Sequence, residues 1–104
     1  MPNIILDENG HLTNHHSWNQ AIGQQIASAD NFELNEKHWQ IIELMREIYE
    51  KTGTSPPMRL FIKSIKLNIG DEIANSRYLY QLFPDGPVRL ACKYAGLPKP
   101  KHCM

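Results

Sequence analysis

The two cysteines, Cys92 and Cys103, are the side chains of this 104-residue sequence best suited to chemistry, and no other cysteine is present. Cys103 follows a segment that contains Pro98 and Pro100. Because proline fixes φ and lacks a backbone N–H, this segment is predicted to be extended rather than helical. The last residues of a domain rarely pack unless something ties them down. We therefore predict that residues 96–104 form an extended, flexible C-terminal arm, roughly 20 Å long, that carries the Cys103 thiol.

Three basic side chains surround this thiol: Lys99, Lys101 and His102. Their charge favours the thiolate, which is the reactive form of a cysteine whose ordinary pKa is about 8.5. A thiolate can attack a sulfur donor, hold the extra sulfur as a persulfide and pass it on. We predict that Cys103 is a persulfide-carrying nucleophile and that Lys99, Lys101 and His102 tune its charge and contact its partners.

Cys92 allows two interpretations. A lone cysteine on a helix is usually a small buried hydrophobe. Alternatively, the arm folds back so that Cys92 meets Cys103, as a disulfide or through an intervening sulfur, because closing so short a loop costs only a few kcal/mol. A dithiol–disulfide redox switch is a further use of the same pair, although no Cys-x-x-Cys motif supports it. The sequence leaves these alternatives open.

The sequence gives little support for a metal site. A closed zinc site needs four ligands, usually from paired Cys-x-x-Cys knuckles, and these are absent from the sequence. His11, His15 and His16 cluster together, but without acidic or thiol partners they are predicted to be surface residues. We expect no metal and no cofactor.

Composition places the chain among ordinary globular proteins, with 41% hydrophobic and 21% charged residues. A chain of this length fits one domain with a single core. No apolar run approaches the ~20 residues that span a bilayer, and residues 1–3 open no basic-then-apolar signal sequence. We expect a cytoplasmic protein without membrane contact, whose cysteines are kept reduced unless they turn over.

The formal net charge of zero hides an asymmetry between the two halves. Residues 1–52 hold eight acids and three bases, whereas residues 53–104 hold three acids and eight bases. The basic half also carries both cysteines, which suggests an anionic substrate or an acidic partner surface. The candidate partner-facing residues outside the arm are Arg59, Lys63, Arg77, Arg89 and Lys93. For any single one of them, a solvated basic residue is the alternative.

The pattern along the chain predicts a mostly helical fold that begins with a small N-terminal β-hairpin. Residues 4–13 alternate around Asn9-Gly10, a typical hairpin turn. Apolar spacing predicts a first helix that runs to Ala29, with Ser17 as its N-cap. A second helix is predicted between Asn35 and Gly53. Its predicted buried stripe consists of Trp39, Ile42, Met45, Ile48 and Tyr49.

Three shorter helices are predicted in the second half. The Ser55-Pro56-Pro57 sequence is a helix-start signature, and Gly70 ends that helix, with Arg59, Lys63 and Lys66 on its outer face. The next helix covers residues 76–83 after Asn75 or Ser76, and the last covers residues 88–95. The fold class is mainly α: a compact single-domain helical bundle with helix-turn-helix-like packing. One domain spans residues 1–104, with a globular body at 1–95 and the arm at 96–104.

Three sequence blocks resemble one family closely. Residues 75–80, 82–87 and 95–100, followed by Cys103, resemble the sulfur-relay family of TusE and DsrC, the latter also called the gamma component of dissimilatory sulfite reductase. The resemblance extends upstream through His38-Trp39, Arg46, Tyr49, Ser55-Pro56 and Arg59. It covers nearly the whole chain, although the N-terminal hairpin and first helix match only in pattern.

The resemblance implies that Cys103 accepts persulfide sulfur from an upstream relay protein of the TusBCD or DsrEFH kind. In TusE-type members the sulfur goes to the enzyme that makes 2-thiouridine at the tRNA wobble position, and one cysteine suffices. In DsrC-type members the partner is dissimilatory sulfite reductase, and a second cysteine, here Cys92, forms a trisulfide. The 54–56 and 75–78 segments favour the TusE-type function slightly, whereas Cys92 favours the DsrC type.

A DNA-binding module is an alternative from a different class. The helices at 56–69 and 76–83 have the spacing of a helix-turn-helix motif, and the basic half would meet phosphates. However, the second of these helices is filled with aromatic and apolar residues, and only Arg77 and Gln81 are able to read bases. Direct nucleic-acid binding is therefore not expected.

Overall fold

The helices of this computed structural model are positioned by caps that the local sequence supplies. The structure describes residues 6–8 and 10–98. After a short 3₁₀ turn at His15–Ser17, five α-helices follow in this part of the chain: α1 Gln20–Ala29, α2 Glu36–Thr52, α3 Met58–Asn68, α4 Ser76–Leu82 and α5 Pro87–Tyr94. None of them is long and apolar enough to cross a bilayer. The prediction of a mainly helical fold is confirmed.

Asparagine side chains start three of the helices. Asn35 accepts hydrogen bonds from backbone N–H groups of the first turn of α2, and Asn75 accepts one from Tyr78 in α4, as predicted. Asn19, not Ser17, caps α1: its side chain accepts the Ile22 N–H at 3.0 Å. The prediction of Ser17 as the cap was wrong because Ser17 is already part of the 3₁₀ turn. The backbone N–H groups in the first turn of a helix have no intrahelical acceptor, so they donate to a side-chain oxygen that lies beside them.

The predicted N-terminal β-hairpin is not present as paired strands in the described residues. Leu6 and Leu12 form one isolated antiparallel bridge around a turn in which the Gly10 N–H donates to the Asp7 carbonyl at 3.0 Å. The chain therefore turns where a turn was predicted, but a single bridge gives too little pairing to make a strand. Ile4, Ile5 and Asn9 of the predicted hairpin lie outside the described residues.

Helix α5 is the centre of the body and packs against each of the other four helices. Its side chains are buried on nearly every side: Pro87, Val88, Leu90, Ala91, Cys92 and Tyr94. Only Arg89 and Lys93 of this helix are partly exposed, because the other elements surround the rest of it. The other helices contribute one buried stripe each; that of α2 consists of His38, Ile41, Ile42, Leu44 and Met45, while Trp39, Ile48 and Tyr49 of the predicted stripe are only partly buried.

The predicted helix-turn-helix pair corresponds to α3 and α4. Helix α4 packs mainly against α5, whereas α3 packs against both α2 and α5. On α4, Leu79 is buried and Tyr78 and Leu82 are partly buried, while Arg77 and Gln81 are exposed. Tyr78, Leu79 and Leu82 of this helix therefore belong to the core and its margin, whereas Tyr80 is exposed.

Candidate functional site

The end of α5 is where the predicted reactive arm leaves the body. Cys103, Lys99, Lys101 and His102 lie outside the described residues, so their predicted roles stay predictions. The described chain ends at Pro98, which is exposed, whereas Leu97 is fully buried. Gly96 and Leu97, which were predicted to begin the arm, are both buried.

A Schellman motif ends α5. Gly96 adopts the left-handed conformation with φ 71°, the Leu97 N–H donates to the Cys92 carbonyl at 2.9 Å, and the Gly96 N–H faces the Lys93 carbonyl at 3.3 Å. The left-handed residue reverses the chain so that the following apolar residue packs back on the helix, which explains the burial of Leu97. The arm thus begins directly beside the backbone of Cys92.

Three side chains from separate parts of the chain bind the carbonyls at this helix end. Trp18 Nε1 donates to the Tyr94 oxygen at 2.9 Å, and Arg46 Nη1 donates to the Ala95 oxygen at 2.7 Å. His11 Nδ1 lies 2.9 Å from the Leu97 oxygen. Helix ends leave such carbonyls without intrahelical partners, and here donors distant in sequence satisfy them. We call His11, Trp18 and Arg46 the carbonyl clamp.

Trp18 is in contact with both Arg46 and Gly96. The Arg46 guanidinium lies 4.6 Å from the centroid of its ring, a cation–π contact. The ring also covers Gly96 so closely that a Cβ there would lie 2.8 Å from Trp18 Cγ. Gly23 of α1 makes room for the hydrogen bond between Trp18 and Tyr94, since a Cβ at Gly23 would lie 2.7 Å from the backbone carbonyl oxygen of Tyr94. Glycine is needed at both positions because backbone and ring approach too closely for any side chain.

His11 was predicted to be a surface residue, and this prediction was wrong. Only 1% of the residue is exposed, and it lies against the base of the arm. Because a carbonyl oxygen only accepts, Nδ1 carries the proton of the neutral ring. Burial lowers the pKa of His11 below its ordinary value, and this outweighs the opposing hydrogen bond to the Leu97 carbonyl. His16 is exposed, as predicted, and the side chain of His15 lies outside the described part of the chain.

Cys92 is fully buried on α5. Desolvation raises the pKa of its thiol to about 12, against the opposing effect of a hydrogen bond from the Ser55 side chain. At neutral pH the group is therefore a protonated thiol with almost no nucleophilic character. Of the two interpretations of Cys92, the buried small hydrophobe is the one that this conformation of the body presents.

The predicted partner-facing basic residues do not converge on one point. Arg59, Lys63 and Arg77 are exposed on α3 and α4. The two on α5 are engaged within the chain. Arg89 Nη2 donates to the Asp85 carbonyl at 2.8 Å, and Lys93 Nζ lies 2.7 Å from Asp30 Oδ2.

Asp30 connects α1 to the central helix through a network of its own. Its carboxylate also accepts a hydrogen bond from the Tyr94 hydroxyl at 3.0 Å. Burial tends to raise the pKa of Asp30, but the hydrogen bonds from Lys93 and Tyr94 outweigh it and lower the pKa overall. Lys93 therefore connects α5 to the end of α1 through this ion pair, and its predicted contact with a partner stays a prediction.

Comparison with known proteins gives consistent results in sequence and in structure. The family described as "DsrC like protein" matches residues 2–104. The chain is 45% identical to Sulfurtransferase TusE of Photorhabdus laumondii subsp. laumondii over 101 residues, which cover 97% of this chain and 91% of that protein. It is 42% identical to Sulfurtransferase TusE of Salmonella typhimurium, with 97% and 93% covered.

Solved structures of similar sequence share the fold. The NMR structure of Allochromatium vinosum DsrC is 44% identical and has a TM-score of 0.86, over 95% of this chain and 88% of that one. The crystal structure of the oxidized gamma-subunit of the dissimilatory sulfite reductase (DsrC) from Archaeoglobus fulgidus is 38% identical with a TM-score of 0.85, over 97% and 92%. The matches to named relatives and to solved structures thus extend over almost the whole chain.

Proposed function

The chain belongs to the DsrC-like family, and from this membership we propose that Cys103 accepts persulfide sulfur from one protein and delivers it to another. The observation that carries the proposal is the match over residues 2–104 together with relatives named as sulfurtransferases at 40–45% identity. The chain is a sulfur-relay protein, a sulfurtransferase that acts as a carrier. Its partners are the proteins between which the sulfur moves.

The chemistry of loading needs no oxidant. The Cys103 thiolate attacks the outer sulfur of the donor persulfide, a new S–S bond forms at Cys103, and the donor's own S–S bond breaks. The donor leaves as a thiolate, so that one S–S bond replaces another without net oxidation. Unloading repeats the exchange at the acceptor. Lys99, Lys101 and His102 favour the thiolate form of Cys103.

The body supports this function by fixing the origin of the arm. The carbonyl clamp and the Schellman motif hold Leu97 in the body, while Pro98 is exposed. From Leu97 to Cys103 there are six residues, which reach ~20 Å when fully extended. A thiol on a short tether with a fixed origin is presented to partners within a defined radius, so that less orientational freedom is lost on docking.

We propose that the acceptor belongs to tRNA 2-thiouridine synthesis, in a reducing, cytoplasmic setting. Burial of Cys92 and its strongly raised pKa favour a carrier that uses one thiol. The donor would be of the TusBCD or DsrEFH kind, and the acceptor a tRNA thiouridylase. The names of the TusE relatives point the same way.

The trisulfide carrier of the DsrC type is the second candidate. It is favoured by the position of Cys92, whose carbonyl binds the N–H of Leu97 at the base of the arm. The length of the arm is sufficient for Cys103 to return to this point. Closing a trisulfide from a persulfide and a thiol removes two electrons and two protons, so an oxidised sulfur substrate would have to accept them. The Cys92 thiol would also have to leave the core first.

The decisive experiment compares two substitutions in a purified relay. Cys103→Ala is expected to abolish loading, measured as the gain of one sulfur atom in the intact mass after exposure to a persulfide donor. Cys92→Ala, the matched control, is expected to load and unload at the wild-type rate. Retained loading in Cys103→Ala would refute the proposal. Loss of delivery in Cys92→Ala alone would select the trisulfide candidate.

A further inference from the structure

The outer face of α3 carries a group of exposed basic side chains. Arg59, Lys63 and Lys66 are exposed there, and α3 contains no acidic residue. The structure gives none of these three side chains an ion pair or a hydrogen bond within the described chain. By contrast, Lys51 and Lys93 are each paired with a carboxylate.

Two leucines lie beside these cations on the same helix. Leu60 is 47% exposed and Leu67 is 77% exposed. At 100° per residue, Arg59, Lys63 and Lys66 form one stripe and Leu60 and Leu67 form the adjacent stripe, while Phe61 and Ile65 face the core. Each stripe is ~10 Å long at 1.5 Å per residue. We call these five residues the outer face of α3.

The start of α3 is near the base of the arm. The side chain of Ser55, which precedes the helix, is close enough to the Cys92 thiol to oppose the effect of burial on its pKa, and the Cys92 carbonyl accepts the Leu97 N–H. Helix α3 also packs directly against α5. Helix α3 is 11 residues long, hence ~16 Å. This length is comparable with the ~20 Å span of the six residues from Leu97 to Cys103. A protein bound along α3 therefore lies within reach of the thiol.

We propose that the outer face of α3 docks an acidic protein surface with an apolar centre, on the partner with which Cys103 exchanges sulfur. The cations would pair with carboxylates and the leucine stripe would enter the apolar centre, the usual anatomy of a polar rim around an apolar patch. Phosphates would satisfy the cations but leave the leucines in water, so a protein fits this face better than a nucleic acid. The inference rests on the proposed relay function.

The test uses the full chain and three variants. Lys63→Glu reverses one charge on this face, and Leu67→Ser removes its most exposed apolar side chain. Lys37→Glu, an exposed lysine on α2 that is given no ion pair, is the matched control. All three positions are exposed, so thermal unfolding is expected to stay at the wild-type temperature. Initial rates are measured for loading from the purified protein donor and for delivery to the purified acceptor.

Lys63→Glu is expected to raise KM roughly tenfold for at least one of these two steps, with kcat unchanged and a smaller effect at high salt. Leu67→Ser should raise the same KM independently of salt, and Lys37→Glu should leave it unchanged. Wild-type KM values for both steps in Lys63→Glu and Leu67→Ser would overturn the inference. The inference would also be overturned if the wild type bound a duplex RNA probe, the two variants lost this binding, and their KM values for the protein donor and acceptor stayed normal.

Loading from inorganic polysulfide separates this inference from the proposed function. Polysulfide needs no docking surface, so Lys63→Glu should be loaded as fast as the wild type. If the variants load normally from polysulfide and from the protein donor, and deliver sulfur normally to the acceptor, only the docking inference fails. If the wild type itself gains no sulfur from polysulfide or from the protein donor, the relay function fails.

Discussion

The ends of α2 and α5 use the same local stop signal in opposite surroundings. Each helix is followed by a glycine in the left-handed conformation, Gly53 at φ 75° and Gly96 at φ 71°. Around Gly53 nothing lies within 4 Å of a Cβ position, whereas Gly96 lies under the Trp18 ring. A glycine of this kind ends a helix wherever it occurs. Only the surroundings determine whether that end is free or fixed.

The two ends also differ in where their hydrogen-bond partners come from. At the end of α2 the partners are local: the Gly53 N–H donates to the Tyr49 carbonyl, and the Thr52 hydroxyl donates to the Ile48 carbonyl. At the end of α5, His11, Trp18 and Arg46 come from 49 to 86 residues away. The difference teaches that α5 ends in a fixed mount, at the point where the predicted arm would begin, and three measurements can break or sharpen this conclusion.

The largest effect is expected from Gly96→Ala. The substitution combines a left-handed backbone, which costs an L-residue about 1–2 kcal/mol, with a steric conflict against Trp18 that costs about 1–3 kcal/mol more. Gly53→Ala, with nearly the same φ and open space around it, should lose only the first amount. The free energy of unfolding in denaturant is the measurement. Equal losses in the two variants would contradict the fixed mount at α5.

An intermediate effect is expected from Arg46→Met. It removes a charged donor from the Ala95 carbonyl and the contact with Trp18, and should lower the free energy of unfolding by about 2 kcal/mol. Lys51→Met on the same helix is the control, since its exposed pair with Glu47 should contribute less than about 0.5 kcal/mol. Hydrogen exchange at the Leu97 amide should accelerate in Arg46→Met alone. Unchanged protection there would show that Arg46 does not hold this end.

The smallest effect is expected from acid. The pKa of His11 is lowered in the folded state, so the unfolded chain takes up the proton first as pH falls below the ordinary value of 6.5. The stabilisation is complete above that value and declines as pH falls from it towards the lowered pKa. His38, whose pKa burial also lowers, adds a loss of the same sign.

The share of His11 can be isolated by substitution. His11→Asn keeps a donor for the Leu97 carbonyl but does not titrate, so it should lose less stability than the wild type between about pH 7 and pH 5. His16→Gln, at an exposed position, should follow the wild type. Denaturant unfolding at both pH values gives the comparison. Identical pH dependence in His11→Asn and wild type would contradict the buried position of His11.

Local signals in the sequence were sufficient for most of the fold. Asparagine caps, Pro87 and the two glycine stops have short-range causes, and these gave the boundaries of α2, α4 and α5 within about one residue. The carbonyl clamp had no such signal, because its acceptors are backbone carbonyls, which every residue carries. His11 was misplaced for this reason: a partner was sought among acidic and thiol side chains, whereas the partner is the Leu97 oxygen.

The fixed mount at Leu97 has a consequence for how partners share this protein. In the proposed relay, the six residues from Leu97 to Cys103 would confine the sulfur to a region of roughly 20 Å around one anchored point. The sulfur donor and the sulfur acceptor must each bring a reactive atom into this small volume. Two proteins cannot both occupy this volume, so we expect the donor and the acceptor to bind one after the other. The carrier must release the first before it binds the second.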